Sequence, residues 1–266
     1  MARIAVAATA PFGADVLERL ADRHEVSALL SRPDSRRGRG RHEEPTPAKQ
    51  VAERLGIPVL QPERPAAGLD LDAPTVVVCA YGLLIPDELL EERLWLNVHP
   101  SLLPRWRGAA PVERSILTGD AETGVTIHRT VAALDAGPVA AQRGFPIGAA
   151  DDAGAVYEQA AELAAELLDG VLAGEPAFVA QAEDGITYAE KITPADRVLD
   201  LEGPPEELLR RVRALSPHIG ARAELRGRPV TVWRAQVGAD GRFELLEVQP
   251  DGGRRMEYDA WLRGLR

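Results

Sequence analysis

Cysteine is almost absent from this 266-residue chain: Cys79 is the only one, so no internal disulfide can form. It lies in the apolar run 75–80 and reads as a small buried hydrophobe rather than a catalytic thiol. Equally missing is any apolar stretch of the roughly 20 residues that a membrane-spanning helix needs. Residues 1–9 lack the basic start and long apolar core of a signal peptide and read as a first strand. The chain is therefore expected to be soluble and cytoplasmic. Its histidines are too scattered to suggest a metal site, so no metal is expected. Internal repeats and low-complexity segments are absent as well.

What is present is ordinary for a folded protein: 45% apolar and 27% charged residues, in a length suited to one main domain with a small appendage. The net charge of -10 argues against indiscriminate binding to nucleic acid, but it is unevenly spread. Residues 190–266 carry 14 Arg or Lys against 13 Asp or Glu, which leaves about -11 on the remainder. A second exception is the stretch 32–41, where Arg32, Arg36, Arg37, Arg39 and Arg41 face a single acid, Asp34. A phosphate-bearing partner would have to meet these two regions. On composition alone, a solvated loop and a neutral tail are the favoured reading.

Strand and helix patterns alternate through the first half. Short apolar runs at 3–9, 25–30, 57–60 and 75–80 predict strands, and the last is β-branched, as suits a sheet covered on both faces. Helical spacing appears at 12–22, and Thr46-Pro47 predicts a helix start, threonine capping and proline in the first turn. Pro86 opens another short helix before a strand at 94–99. Repeated strand–helix–strand units predict a Rossmann-like α/β fold, a mostly parallel sheet with helices on both faces. Strands at 124–131 and 139–147 and a helix at 152–173 follow. From about 186 the pattern changes: Pro204-Pro205 starts a helix, residues 221–237 read as a hairpin turning at Arg226-Gly227, and a strand and a short helix end the chain. The expected organisation is a catalytic domain at 1–196, a linker near 193–204 and a small β-rich domain at 204–266.

The most informative segment is 94–111. In Asn97-Val98-His99 the two-residue period puts Asn97 and His99 on one face, at the end of a strand where ligands of open α/β sheets bind. Pro100 and Pro104 stiffen the loop that follows. An amide that donates to a developing oxyanion, beside an imidazole whose unperturbed pKa of about 6.5 suits proton transfer, fits attack of an amine on a carbonyl. Such a pair also serves purely structural roles.

The wider pattern resembles the folate-dependent formyltransferases, which share Asn-x-His followed by Ser-Leu-Leu-Pro, here Asn97, His99, Ser101, Leu102, Leu103 and Pro104. Their downstream aspartate matches Asp135 in Leu134-Asp135-Ala136-Gly137. Residues 105–111, 124–127 and 187–192, with the early pieces Arg32-Pro33-Asp34, Pro45-Thr46-Pro47 and Pro58-Val59-Leu60-Gln61-Pro62, resemble the methionyl-tRNA branch of that family. The resemblance covers nearly the whole chain. It implies 10-formyltetrahydrofolate as donor and methionyl-tRNA as acceptor, with Asn97 on the oxyanion, His99 relaying a proton and Asp135 orienting the imidazole. Ser101 to Pro104, together with Tyr81 and Gly82, would shape the folate site, although Tyr81-Gly82 could equally be a plain strand-to-turn junction. The resemblance also makes Arg36, Arg37, Arg39 and Arg41 expected tRNA contacts, for which a planar guanidinium suits phosphate and bases.

Other polar residues are given lesser parts. Ser101 lacks the elbow motif of a serine nucleophile and is expected to shape its loop. His24, His42 and His218 are expected at surface or linker positions, and His128 points from a strand near the site without an assigned role. The chain departs from the family in two places. Residues 234–245 are shorter than usual, so that a complete C-terminal barrel is not expected to close, and Pro138 replaces a common acidic residue. Competing readings are a formyltransferase acting on an amino sugar nucleotide or glycinamide ribotide, a hydrolase of the same donor, and a catalytically idle RNA-binding relative.

Overall fold

The computed structural model describes residues 1–37 and 42–265. The chain divides into two compact units, one of residues 1–107, 124–144 and 158–187, the other of 108–123, 145–157 and 188–266. In chain order the elements are β1 (Arg3–Ala8), α1 (Pro11–Ala21), β2 (Glu25–Leu30), β3 (Ser35–Arg37), β4 (His42–Glu44), α2 (Pro47–Leu55), β5 (Val59–Leu60), β6 (Thr75–Cys79), α3 (Asp87–Glu92), β7 (Leu94–His99), β8 (Arg107–Gly108), α4 (Pro111–Thr118), β9 (Glu122–Arg129), β10 (Val139–Pro146), α5 (Ala153–Leu172), β11 (Tyr188–Ala189), α6 (Pro205–Leu215), β12 (Ala221–Leu225), β13 (Arg228–Val237), β14 (Phe243–Pro250), β15 (Met256–Glu257) and α7 (Tyr258–Arg263).

The first unit is built on a sheet in the order β10-β9-β7-β6-β1-β2-β5. The pairs β1–β2, β1–β6, β2–β5 and β6–β7 are parallel, and β7–β9 is antiparallel. Alternation along the central strands places Ala5, Ala7, Val76, Val78 and Trp95 in one cluster with Leu89 of α3. The intervening Ile4, Val6 and Val77 are just as buried, so the other face is covered too, and α1 packs against β1, β2 and β6. This double burial explains why the strands read as continuous apolar runs rather than alternating ones. Cys79 is fully buried in that sheet, and burial pushes its thiol well up from its ordinary value. Thr46 caps α2 as its sequence predicts: Lys49 N–H donates to Thr46 Oγ1 over 3.2 Å, and Gly56 ends the helix in a left-handed turn.

The second unit has an antiparallel sheet in the order β12-β13-β14-β15. Its core joins Leu208, Val212 and Leu215 of α6 to Val230, Val232, Val248 and Trp261. The segment at Arg197 and Leu199 runs beside β12, where Leu199 N–H donates to Arg222 O and Arg222 N–H to Arg197 O. In that order β12 and β15 are the outermost strands, and the segment 197–199 bonds to the outer side of β12. The central parallel sheet with its helices and the small antiparallel domain match the expected fold class. No helix is long and apolar enough to cross a membrane among the described residues.

Three local expectations need correction. Residues 35–37 are not part of a plain loop, because Ser35, Arg36 and Arg37 pair antiparallel with Glu44, Glu43 and His42. The helix α4 was not foreseen, although Pro111 stands in its first turn and Gly119 closes it at φ 78°. His24 is not a surface residue: it is 7% exposed, accepts from Ala2 N–H at Nδ1 and donates from Nε2 to Asp169 Oδ1 over 3.0 Å. A polar side chain at a helix–strand junction found a partner on α5, which a linear sequence does not reveal. His218 is exposed, as expected.

Candidate active site

The antiparallel pairing of β7 with β9 brings the candidate residues together. Asn97 lies opposite His128, and His99 opposite Thr126, so all four share one face of the two strands. Asp135 follows β9 in a tight turn, with a positive φ of 46° that aspartate tolerates better than most residues. Arg129 N–H donates to Pro138 O and folds that turn back onto the strand end. Gly137 is required in this turn, since a Cβ there would stand 1.7 Å from Arg129 O.

Asp135 is the hub. Asn97 Nδ2 donates to its Oδ1 over 3.2 Å. His99 Nδ1 lies 3.7 Å from Oδ2, and His128 Nε2 lies 3.8 Å from Oδ1. The side chains of His99, His128 and Asp135 are 6%, 2% and 9% exposed, so their charges interact in a poorly hydrated setting. The two imidazoles stand edge to face, 6.4 Å apart.

Their protons can be assigned from the partners. His99 Nε2 faces Trp106 O at 2.7 Å, and a carbonyl oxygen only accepts, so Nε2 carries the hydrogen. In the neutral ring, Nδ1 is then a lone pair turned towards Asp135. The same holds for His128: Nδ1 faces Arg129 O at 3.0 Å and donates to it, which leaves Nε2 as a buried acceptor without a hydrogen-bond partner. Burial pushes the His128 imidazole down to about 4, with the proximity of His99 and Arg107 acting in the same direction. His128 is neutral at physiological pH.

Of the residues expected to shape a folate site, the loop 100–104 lies beside this hub through its bonds to Thr126. Because Val78 is in register with Asn97, the chain leaves β6 and β7 at the same level. Tyr81 and Gly82 follow β6, where Ala80 O accepts from Ala10 N–H and Gly82 lies near the Arg32 side chain. Tyr81 is buried, its Oη has no hydrogen-bond partner, and desolvation raises its phenol to about 12, so it remains a donor. Gly82 has φ 77°. Ser101 is fully buried and donates from Oγ to Arg105 O over 2.7 Å, which commits its hydroxyl to the loop. Leu103 N–H donates to Thr126 Oγ1, and Gln142 Nε2 donates to Leu103 O. Pro104 O accepts from Thr187 N–H. Leu102 is half-buried, with its Cδ2 where a Cβ on Gly124 would fall.

Two of the four expected tRNA contacts fall within the described residues. Arg36 and Arg37 lie on β3, and Arg39 and Arg41 lie outside the described residues. The base of that hairpin is pinned, because Asp34 accepts from Lys49 Nζ and Gln61 Nε2, and these bonds hold its carboxyl below the usual range.

Comparison with known proteins places this geometry in context. Residues 2–172 match the model described as formyl transferase, and residues 191–242 match that of the formyl transferase C-terminal domain. The chain belongs to the formyl transferase family. It is 38% identical over 290 residues to the methionyl-tRNA formyltransferase of Paracoccus denitrificans (strain Pd 1222), covering 99% of this chain and 97% of that one. To the methionyl-tRNA formyltransferase of Alcanivorax borkumensis it is 39% identical over 302 residues, covering 98% and 91%. Among solved structures, this formyl transferase fold matches the methionyl-tRNA formyltransferase from Clostridium thermocellum with a TM-score of 0.66 at 14% identity, over 97% of this chain and all of that one. It also matches HypX from Aquifex aeolicus, solved in complex with tetrahydrofolic acid, with a TM-score of 0.69 at 20% identity. The chain covers 47% of HypX.

Three residues at the hub were passed over or left without a role by sequence reasoning. His128 is one. The others are Trp106, whose carbonyl sets the His99 tautomer, and Gln181, which binds the Asp135 turn. Trp106 was visible as part of a motif and His128 as a polar residue on a strand. Gln181 carried no local signal.

Proposed function

We propose that this chain transfers the formyl group of 10-formyltetrahydrofolate to the amino group of methionyl-tRNA, giving N-formylmethionyl-tRNA for the start of translation in the cytoplasm. The observation that carries this reading is the convergence of Asn97, His99 and Asp135 in a chain whose relatives along nearly their whole length bear that name.

In the reaction the amine nitrogen bonds to the formyl carbon, and the bond from that carbon to the folate nitrogen breaks. One proton passes from the amine to the departing nitrogen. Asn97 spends one Nδ2 hydrogen on Asp135 and directs the other at the oxygen that gains charge. His99 holds its Nε2 hydrogen on Trp106 O, so Nδ1 is the atom that collects the proton. Asp135 stabilises the imidazolium that results and keeps the ring in place. The side chains at the ends of β6 and β7 suit a flat, partly polar donor: Leu102 and Leu103 supply apolar surface, and the orphaned phenol of Tyr81 supplies a hydrogen bond.

The test offers 10-formyltetrahydrofolate with methionyl-tRNA, with an amino sugar nucleotide, or with water alone. Formylation of methionyl-tRNA alone supports the reading. Preferential formylation of the sugar, or release of formate, replaces it with one of the competing activities. Alanine at Arg37, Arg39 and Arg41 is expected to impair use of tRNA far more than binding of the folate, and equal loss of both refutes the assignment of that stretch.

A further inference from the structure

The turn that carries Asp135 is held by a side chain from a distant part of the chain. Gln181 Nε2 donates to Asp135 O over 2.7 Å and to Gly137 O over 2.9 Å. Its Oε1 accepts from Arg107, at 2.7 Å from Nη2 and 3.2 Å from Nε. Both hydrogens and both lone pairs of the amide are thus in use. The backbone before Gln181 is itself anchored, because Val179 and Val139 exchange N–H···O bonds of 2.9 and 2.7 Å. Arg107 is anchored too: its N–H donates to Thr187 O, and the preceding Trp106 N–H donates to Thr187 Oγ1.

These bonds close a ring. His99 donates to Trp106 O, and the next residue, Arg107, grips Gln181. Gln181 holds the backbone of Asp135, whose carboxylate returns to His99 Nδ1 at 3.7 Å. The two loops that meet at the reacting groups, one after β7 and one after β9, have left-handed residues at their tips, Trp106 at φ 64° and Asp135 at φ 46°. Such conformations are costly for residues other than glycine and persist only where neighbours over-determine them.

We propose that Gln181 is a positioning residue for formyl transfer, the brace that fixes the distance and orientation between Asp135 and His99. The inference rests on the function proposed above and adds a residue that touches no reacting atom. It follows from the chemistry of the amide: only a group with two donors and one acceptor on a short planar head satisfies two carbonyls and a guanidinium at once. A glutamate in its place keeps the grip on Arg107 but turns a second carboxylate oxygen against the carbonyls of Asp135 and Gly137.

The experiment compares wild type, Gln181→Glu and Gln181→Ala in the full chain, by steady-state kinetics, thermal melting and nitrogen NMR of the His99 ring. Displacement of an orienting group by an ångström costs about a hundredfold, and a fall of that order in kcat is expected for Gln181→Glu, with KM for the folate donor changed by less than about twofold. The His99 resonances are expected to shift from one Nε2–H tautomer to a mixture. A kcat within about threefold of wild type overturns the proposal, as does a matched loss of kcat, KM and melting temperature, which marks a merely structural role. If wild type formylates no acceptor, the proposed function fails by itself. The NMR comparison then still decides the brace, since an unchanged tautomer in both variants refutes it.

Discussion

Replacing Asp135 by Asn separates charge from shape at the hub. The amide can still accept from Asn97 Nδ2 through its oxygen, and its NH2 can donate to the lone pair of His99 Nδ1, so the neutral ring keeps its place. What is lost is the negative charge 3.7 Å from the nitrogen that collects the proton. With an effective dielectric of about 20, a pair of unit charges near that distance is worth about 4 kcal/mol. Both side chains are nearly buried, so solvent screening does not reduce this much. Because each 1.36 kcal/mol is a factor of ten, kcat is expected to fall by about a thousandfold. KM for the donor should hold, since the lost interaction belongs to the charged state and not to ground-state binding. Thermal stability should hold or rise, because a buried carboxylate has been exchanged for a group that costs less to desolvate. The assay is single-turnover transfer from saturating 10-formyltetrahydrofolate to methionyl-tRNA, with a melting curve for each protein. A fall smaller than about tenfold in a folded variant refutes the role of the carboxylate as the stabiliser of an imidazolium.

His128 predicts a dependence of stability on pH. Its folded imidazole sits at about 4 and an unfolded one near 6.5, so the unfolded chain binds the extra proton first. The stability tied to the neutral ring is complete above about pH 6.5 and is lost as pH falls towards 4, to a total of about 3 kcal/mol. In urea titrations at pH 7 and 4.5, His128→Gln should show a correspondingly shallower loss than wild type, and parallel losses refute the prediction. Gly137→Ala forces a Cβ into Arg129 O and must shift the Asp135 turn, so activity should fall by about a hundredfold even where the melting curve shows a folded protein. Wild-type turnover in that variant would mean the turn does not position the carboxylate. Thr46→Ala removes the acceptor for Lys49 N–H and the partner of Ser31 Oγ, and should cost about 1–2 kcal/mol in denaturant unfolding. An unchanged midpoint would show that the cap contributes nothing.

The fold was legible wherever one physical signal acted alone. The strands β1 and β6 are buried on both faces, and their apolar runs announce this without any partner being known. Thr46-Pro47 specifies the start of α2 through its own side chain and ring. The pairing of β3 with β4 was not legible, because a run of arginines reads as solvated loop. His24 was misjudged for a related reason. Its burial depends on Asp169, 145 residues away, and no local pattern records that contact.

At the site the same division holds, but it falls between the groups expected to react and those that hold them. Asn97 and His99 are separated by one residue, and strand periodicity alone puts them on one face. Asp135 was legible only through the family pattern, since a carboxylate 36 residues beyond His99 has no geometric tie to it in sequence. His128 needed one more fact, the antiparallel register that seats it opposite Asn97; a parallel β9 would have offered a different neighbour. Gln181 needed three at once: the Val139–Val179 bridge, the Asp135 turn and the guanidinium of Arg107. Each is a long-range contact, and their meeting exists only in the folded chain. A residue whose task is to hold others is therefore the hardest to find from sequence, because its chemistry is defined by where its partners are and not by what it is.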